Sequence, residues 1–513
     1  MMRRVAAFLA ALAAASFVHA APEGLDNETC FGCHGQPGFE STVGGTKPRS
    51  LSIDRKVFEA SVHAPRDCVN CHTYITQIPH DRPKGVTDAQ RKLQIVNTGC
   101  GTCHSDNLKS YRDTYHGQVT ALGYAYTAKC FDCHAKDSQH DIKRVADPAS
   151  SVHPDNRLRT CQKCHANATP GFVTFQPHAH AHDFSRYPQV WITQKFMIQL
   201  LAGTFAFFWL HSALWFYREF KDRKQGKTHS YVSLEALPAA ARGKHIRRFH
   251  WLWRLAHLVF ALSLMVLTLT GMTVLYSQSA WAPYVARFFG GPQVTAIVHR
   301  ASAIVFASIF FAHLGWMLVH IARHWKTFRF FGPNSLVPRW QDLADMIAMF
   351  KWFFGKGPRP VFDRWTYWEK FDYWAPFWGV TIIGASGFML WFPELTATYL
   401  PGWVFNVAMI AHGEEAFLAA VFLFTVHFFN NHFRPDKFPI DILMFTGSMA
   451  VEEFAHDHTI EYKRLVESGE LQKYLVDEPA KPLTVGSKIL GFTLIAMGLS
   501  LLVLVLTGFV AHL

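Results

Sequence analysis

One short pattern occurs five times in the first third of the chain: CFGCH at 30–34, CVNCH at 68–72, CGTCH at 100–104, CFDCH at 130–134 and CQKCH at 161–165. The chain has ten cysteines, and these pentapeptides use them all: Cys30, Cys33, Cys68, Cys71, Cys100, Cys103, Cys130, Cys133, Cys161 and Cys164. Two thiols at this spacing can add to the vinyl groups of a porphyrin as thioethers, while a histidine beside the second thiol reaches the iron. The proximal ligands would then be His34, His72, His104, His134 and His165. Zinc sites draw four ligands from paired motifs and give no reason for a histidine after every second cysteine. A thioredoxin-like dithiol would occur once. Five covalently bound c-type haems are the expectation.

Each such iron has a sixth position, filled by a distal ligand or open for chemistry. Outside the pentapeptides, residues 21–190 hold His63, His80, His116, His140, His153, His178, His180 and His182, eight candidates for five irons. His63 in SVHAPRDCVNCH, His80 in QIPHDRP, His116 in TYHGQ and His140 in CFDCHAKDSQH stand in contexts that resemble the distal-ligand positions of multihaem cytochromes. The fifth is left open between His153 and the HAHAH cluster of His178, His180 and His182. The plain alternative for any one of them is a solvated side chain. Two histidines on one iron favour electron transfer over substrate binding.

The apolar residues are unevenly spread. Beyond residue 190 six apolar segments stand out, at about 192–217, 252–276, 294–321, 372–392, 404–430 and 485–512, each near or above the ~20 residues that cross a bilayer. The N-terminus, MMRRVAAFLAALAAASFVHAAPEG, has a basic start, a short apolar run and small residues before Ala21, the form of a secretory signal peptide. With the cysteine-rich part exported, REFKDRKQGK, ARGKHIRR, ARHWKTFRFF, KWFFGKGPRPVFDR and NNHFRPDKFP fall in inward-facing segments. The outward loops 277–293 and 393–403 hold one basic residue, Arg287. That asymmetry follows the positive-inside rule. It also accounts for the net charge of +12, since residues 21–190 carry only a slight basic excess, and nucleic-acid binding is not expected.

Histidines recur inside these segments: His257 in the second, His299 and His313 in the third, His412 and His427 in the fifth. Ionisable groups at membrane depth are costly and usually functional, although a single one can be a satisfied core histidine. His299 and His313 are fourteen residues apart, and His412 and His427 fifteen, so each pair is separated by roughly 21–23 Å along its helix. Ligands at two such levels suit two b-type haems stacked across the bilayer. His299 and His412 belong to the outer level, and His257, His313 and His427 to the inner one. Glu414 and Glu415, one turn inside His412, offer carboxylates that could carry quinol protons outward; helix-end or propionate-side polarity is the plainer account of them.

RLAHLVFALSLMVLTLTG resembles the first helix of the cytochrome b subunits of formate dehydrogenases and nickel–iron hydrogenases. VHRASAIVFASIFFAHL, YWEKFDYWAPFWGVTIIGASGFMLWF and AHGEEAFLAAVFLFTVHFFNNHFRPDKFP look closer still to bacterial inner-membrane cytochromes that join such a bundle to a periplasmic multihaem c domain. The resemblance covers about 190–450. It implies haem b pairs His257–His427 and His299–His412, with His313 either replacing His257 or lying by a propionate or a quinone. It also implies a quinone, menaquinone or ubiquinone, near His257, His313 and His427.

The expected fold is therefore an N-terminal haem-packed domain of short helices and irregular loops, followed by an all-α transmembrane bundle of about six spans. Its parts would be a signal peptide (1–20), a periplasmic pentahaem domain (21–190), a first transmembrane helix (191–218), a di-haem core (219–430), a helical cytoplasmic segment (431–484) and a last helix (485–513). The expected role is an electron relay in the bacterial inner membrane, a quinol dehydrogenase joining the quinone pool, two b haems, five c haems and a periplasmic or outer-membrane redox protein. Reverse flow from a periplasmic donor, a membrane anchor for a separate dehydrogenase, and a multihaem enzyme acting on a nitrogen or sulfur oxyanion are the alternatives. Homo-oligomers or further subunits are compatible with all of these.

Overall fold

A computed structural model describes residues 25–41, 48–80, 87–227 and 233–512; the expected signal peptide lies outside the described residues. The chain divides into two compact units. One runs up to His178 and takes in Ala397–Gly402; the other comprises Ala179–Thr396 and Trp403–Leu513. The stretch after His178 leads into the long helix that begins at Pro188.

The first unit is built from short helices and turns, with one two-stranded pairing of Glu40–Ser41 and Arg49–Ser50. Its helices coincide with the cysteine motifs. Asn27–His34, Cys68–Cys71, Gly101–Cys103 and Cys130–His134 each hold part or all of one, and Arg157–Gln162 leads into the fifth. One helical turn is what the motif needs, because residues i and i+3 share a helix face. The turn is started by polar caps: Asp26 accepts from the Thr29 amide, and Asp67 and Asn70 form a reciprocal capping box. It is closed by the histidine itself. The amides of His72, His104 and His165 donate to the carbonyls of Cys68, Cys100 and Cys161 at 2.9, 3.0 and 2.9 Å.

The second unit is a helical bundle. Its long helices are α1 (Pro188–Lys224), α2 (Trp251–Leu275), α3 (Pro292–Arg323), α4 (Tyr367–Trp391), α5 (Val404–Phe433) and α6 (Lys481–His512). Five of them are long and apolar enough to cross a membrane; α4 qualifies together with the helix Pro393–Tyr399, bent from it by 101°. α4 is the marginal one because it opens on the charged and aromatic YWEKFDYW and carries Pro376. α5 is the axis: it packs against α1, α2, α4 and α6, while α2 also packs against α3. The core between these helices is formed by Phe205, Met265, Met272, Phe417, Phe424, Phe428 and Val505.

The segment 431–484 contains helices Val451–Asp457 and Thr459–Glu467, as expected of a helical extension, and also strands. Strand β1 (His245–Arg247), from the loop after α1, pairs antiparallel with β2 (Ser448–Ala450) on one side and β3 (Leu475–Val476) on the other. Leu237, Ile246, Met449, Val451, Phe454 and Leu465 give this cap a core of its own.

Candidate cofactor sites

The histidine of every cysteine motif faces a second imidazole. Ring centroids are 6.1 Å apart for His34 and His80, 6.3 Å for His72 and His140, 6.3 Å for His104 and His63, 6.3 Å for His134 and His178, and 6.2 Å for His165 and His116. In the bundle the same spacing recurs, 6.5 Å for His257 and His427 and 6.3 Å for His299 and His412. Two imidazoles bound to one metal at about 2.0 Å from each nitrogen, with each ring centre about 1.1 Å further back, stand about 6.2 Å apart. The contact between His320 and His324, at 4.4 Å, is direct packing by comparison. Among the described residues no group of three or more His, Cys, Asp or Glu side chains could hold a bare metal ion. Paired imidazoles suffice when a macrocycle supplies the remaining four ligands.

In the first unit the motif thiols follow one another in space as they do in sequence. Cys30 lies within hydrogen-bond reach of Cys68, Cys71 neighbours Cys100 and Cys103, Cys100 reaches Cys130, and Cys133 neighbours Cys161 and Cys164. Burial, reinforced by the facing ring, pushes the His72 and His116 imidazoles down to about 4, which favours the neutral, metal-binding form. Nδ1 of His34 is held by the Leu51 carbonyl at 2.9 Å, and Nδ1 of His178 by the Ser110 hydroxyl at 3.1 Å, leaving Nε2 to a metal. Nδ1 of His153 lies 3.4 Å from the Asp155 carboxylate, and among the described residues it is His178 that faces His134.

In the bundle α5 supplies one histidine to each pair. Fifteen residues at 3.6 per turn would carry His427 about 60° past the face of His412. α5 opens into wider π-helical turns at Leu423–His427 and Phe429–Phe433. A π-bulge absorbs the extra residue and returns His427 to the face of His412.

Supporting contacts come from α2 and α4. Thr270 accepts from Nδ1 of His299 at 2.9 Å while donating its own proton to the Val266 carbonyl. Nδ1 of His412 lies 3.0 Å from the Ile383 carbonyl and 3.1 Å from the Ser386 hydroxyl. A glycine follows each hydroxyl residue, and a Cβ on Gly271 or Gly387 would lie 3.1 Å from Cε1 of His299 or His412. His427 is held differently, its Nδ1 3.2 Å from the Asp372 carboxylate. Asn431 donates to the His427 carbonyl at 2.8 Å. The sequence reading passed over these supports. Their only signal was small polar residues, TG and SG, interrupting apolar helices, and an acid in the opening turns of α4.

His313 is turned away from the paired rings. Its Nε2 lies 2.9 Å from the Tyr373 hydroxyl, between the rings of Trp253 and Trp316. Tyr373 is the residue after Asp372, so the two neighbours serve His313 and His427 respectively. Glu414 accepts from Gln194 of α1 at 3.5 Å. Glu415 is buried, takes a hydrogen bond from Trp378, and leaves its Oε2 without a partner.

No family model, curated protein or solved structure matches this chain.

Proposed function

We propose that this protein is a bacterial inner-membrane quinol dehydrogenase that passes electrons through two b-type and five c-type haems to a periplasmic or outer-membrane redox protein. The observation that carries the reading is the set of seven imidazole pairs at 6.1–6.5 Å, which includes every motif histidine and four histidines of the bundle. Haem iron, when bound, supplies one-electron chemistry. The protein's own residues do the rest. The cysteines fix five macrocycles at neighbouring positions. Each imidazole pair would hold a haem iron from two sides, which would favour electron transfer over binding of an oxyanion substrate. His313, hydrogen-bonded to Tyr373 among aromatic rings, suits the head group of a lipophilic quinol, and its imidazole can accept one of the two quinol protons as the electrons leave, the other going to solvent.

The test is stopped-flow reduction of the purified, full-length protein by a menaquinol or ubiquinol analogue. The b α-band should rise first and the c α-band second, and a quinone-site inhibitor should block both. Reduction of neither band by quinol, with c haems filled by a reduced periplasmic protein and quinone then reduced, would reverse the direction. No reaction with quinone either way would leave an anchor subunit as the reading.

A further inference from the structure

We infer that Asp372 lowers the redox potential of the centre formed by His257 and His427, so that this centre lies below that of His299 and His412 and feeds it. The inference rests on the haem assignment above and adds a direction to it.

The two paired sites differ in what holds their ligands. Around His299 and His412 each Nδ1 proton meets a neutral oxygen, from Thr270, Ile383 or Ser386. At His427 the anionic acceptor is the carboxylate of Asp372, 3.2 Å from Nδ1, and the Asn431 side-chain amide lies at the same distance from that nitrogen. The environment does little to offset the carboxylate's charge. Among the described residues its one ion-pair partner is His427, and its second oxygen is buried without a hydrogen bond. Lys370, the nearest cation on the same helix, is tied to Asp342 through both carboxylate oxygens at 2.8 Å. A carboxylate accepting the outer N–H of a metal-bound imidazole makes that imidazole a stronger donor. A stronger donor stabilises ferric over ferrous iron, so the potential falls. Asp372 thus acts through His427 as a positioning residue and touches no substrate.

The order of potentials fits the path. Gln194, early in α1, reaches Glu414, two residues from His412, whereas Trp209 and Arg223, further along, reach Thr425 and Pro435. The end of α1 that follows the cysteine-rich segment is therefore level with the His299–His412 pair. With haem bound at both pairs, one electron passing from the His427 centre to the His412 centre would oxidise the first and reduce the second, with no bond made or broken, and would move toward that end.

The test is a potentiometric titration of the b α-band in the full-length protein. Wild type should resolve two components. Asp372→Asn should shift the lower one upward and leave the upper unmoved, while Asp372→Glu should restore the lower value. Independently, His427→Ala should abolish the lower component and keep the upper. A shift of the upper component, no shift in Asp372→Asn, an equal shift in Asp372→Glu, or survival of the lower component in His427→Ala would overturn the inference. Absence of any b band in wild type would instead remove the haem assignment on which it stands.

Discussion

A single imidazole is weak evidence of anything; a pair held at one distance, repeated, is a constraint on what lies between. That is why the residue scale carries most of the functional argument. The predicted haem content is five c and two b per chain, and pyridine haemochrome spectra measure the ratio. A ratio near 5:0 would contradict the reading of the bundle. His412→Ala should lose one b haem and keep all c haems, whereas His313→Ala should keep both b haems and slow reduction by quinol, because His313 meets Tyr373 rather than a facing imidazole. The candidate histidines were legible in the sequence because each cysteine motif sets its histidine at a fixed spacing. The choice of partners was not. His80 comes forty-six residues after His34 yet faces it, and His178 rather than His153 faces His134. Such choices depend on how short helices pack, which no local pattern records.

At the scale of elements, the apolar runs announced the helices, since membrane length is a physical ruler. The fine geometry of those helices was less legible. A fifteen-residue spacing looks slightly wrong for one face until the π-helical turns of α5 are known. The glycines beside His299 and His412 read as ordinary membrane-helix glycines, yet they admit the imidazole edges. Gly387→Ala should displace His412, because its Cβ would come within 3.1 Å of Cε1 across a helix contact. The expected result is loss or spectral perturbation of one b haem, with the His257–His427 haem retained, read by low-temperature α-band spectra. The cap at 431–484 was the least legible element, because its order comes from strands contributed by a distant loop and from buried charges. Lys437 Nζ lies 2.7 Å from Asp457 and also pairs with Glu453 and Asp441. Burial opposes both charges, but their mutual attraction prevails, holding Asp457 well below the usual carboxylate range and Lys437 well above the usual amine range. Their stabilisation is therefore present at neutral pH. It is lost in acid as Asp457 protonates, below its unfolded value of about 3.9, and in strong alkali as Lys437 loses its proton. Lys437→Ala should destabilise by about 3–5 kcal/mol at pH 7, leaving buried carboxylates unpaired, and the deficit should shrink in acid. Thermal unfolding in detergent across pH measures both.

For the whole molecule, the proposed relay makes the order of the cysteine motifs a testable matter. Each motif's thiols neighbour those of the next, from Cys30 to Cys68, from Cys71 to Cys100 and Cys103, from Cys100 to Cys130, and from Cys133 to Cys161 and Cys164. Under the haem reading this would make a file in which the middle site stands between the two before it and the two after it. A compact cluster would behave otherwise, because removing one member would leave detours. Cys100→Ser with Cys103→Ser removes the middle attachment and leaves four motifs, two on each side. Driven by quinol, the c α-band of this variant should rise in two phases of about equal amplitude. Haems on the entry side should keep the wild-type rate, and those beyond the gap should be markedly slower, because the electron must cross the space of a missing centre. Dithionite, which reaches every exposed haem directly, should reduce all four together and so control for loss of the other cofactors. A single fast phase under quinol would mean that electrons bypass the third motif, and the single-file order would be wrong.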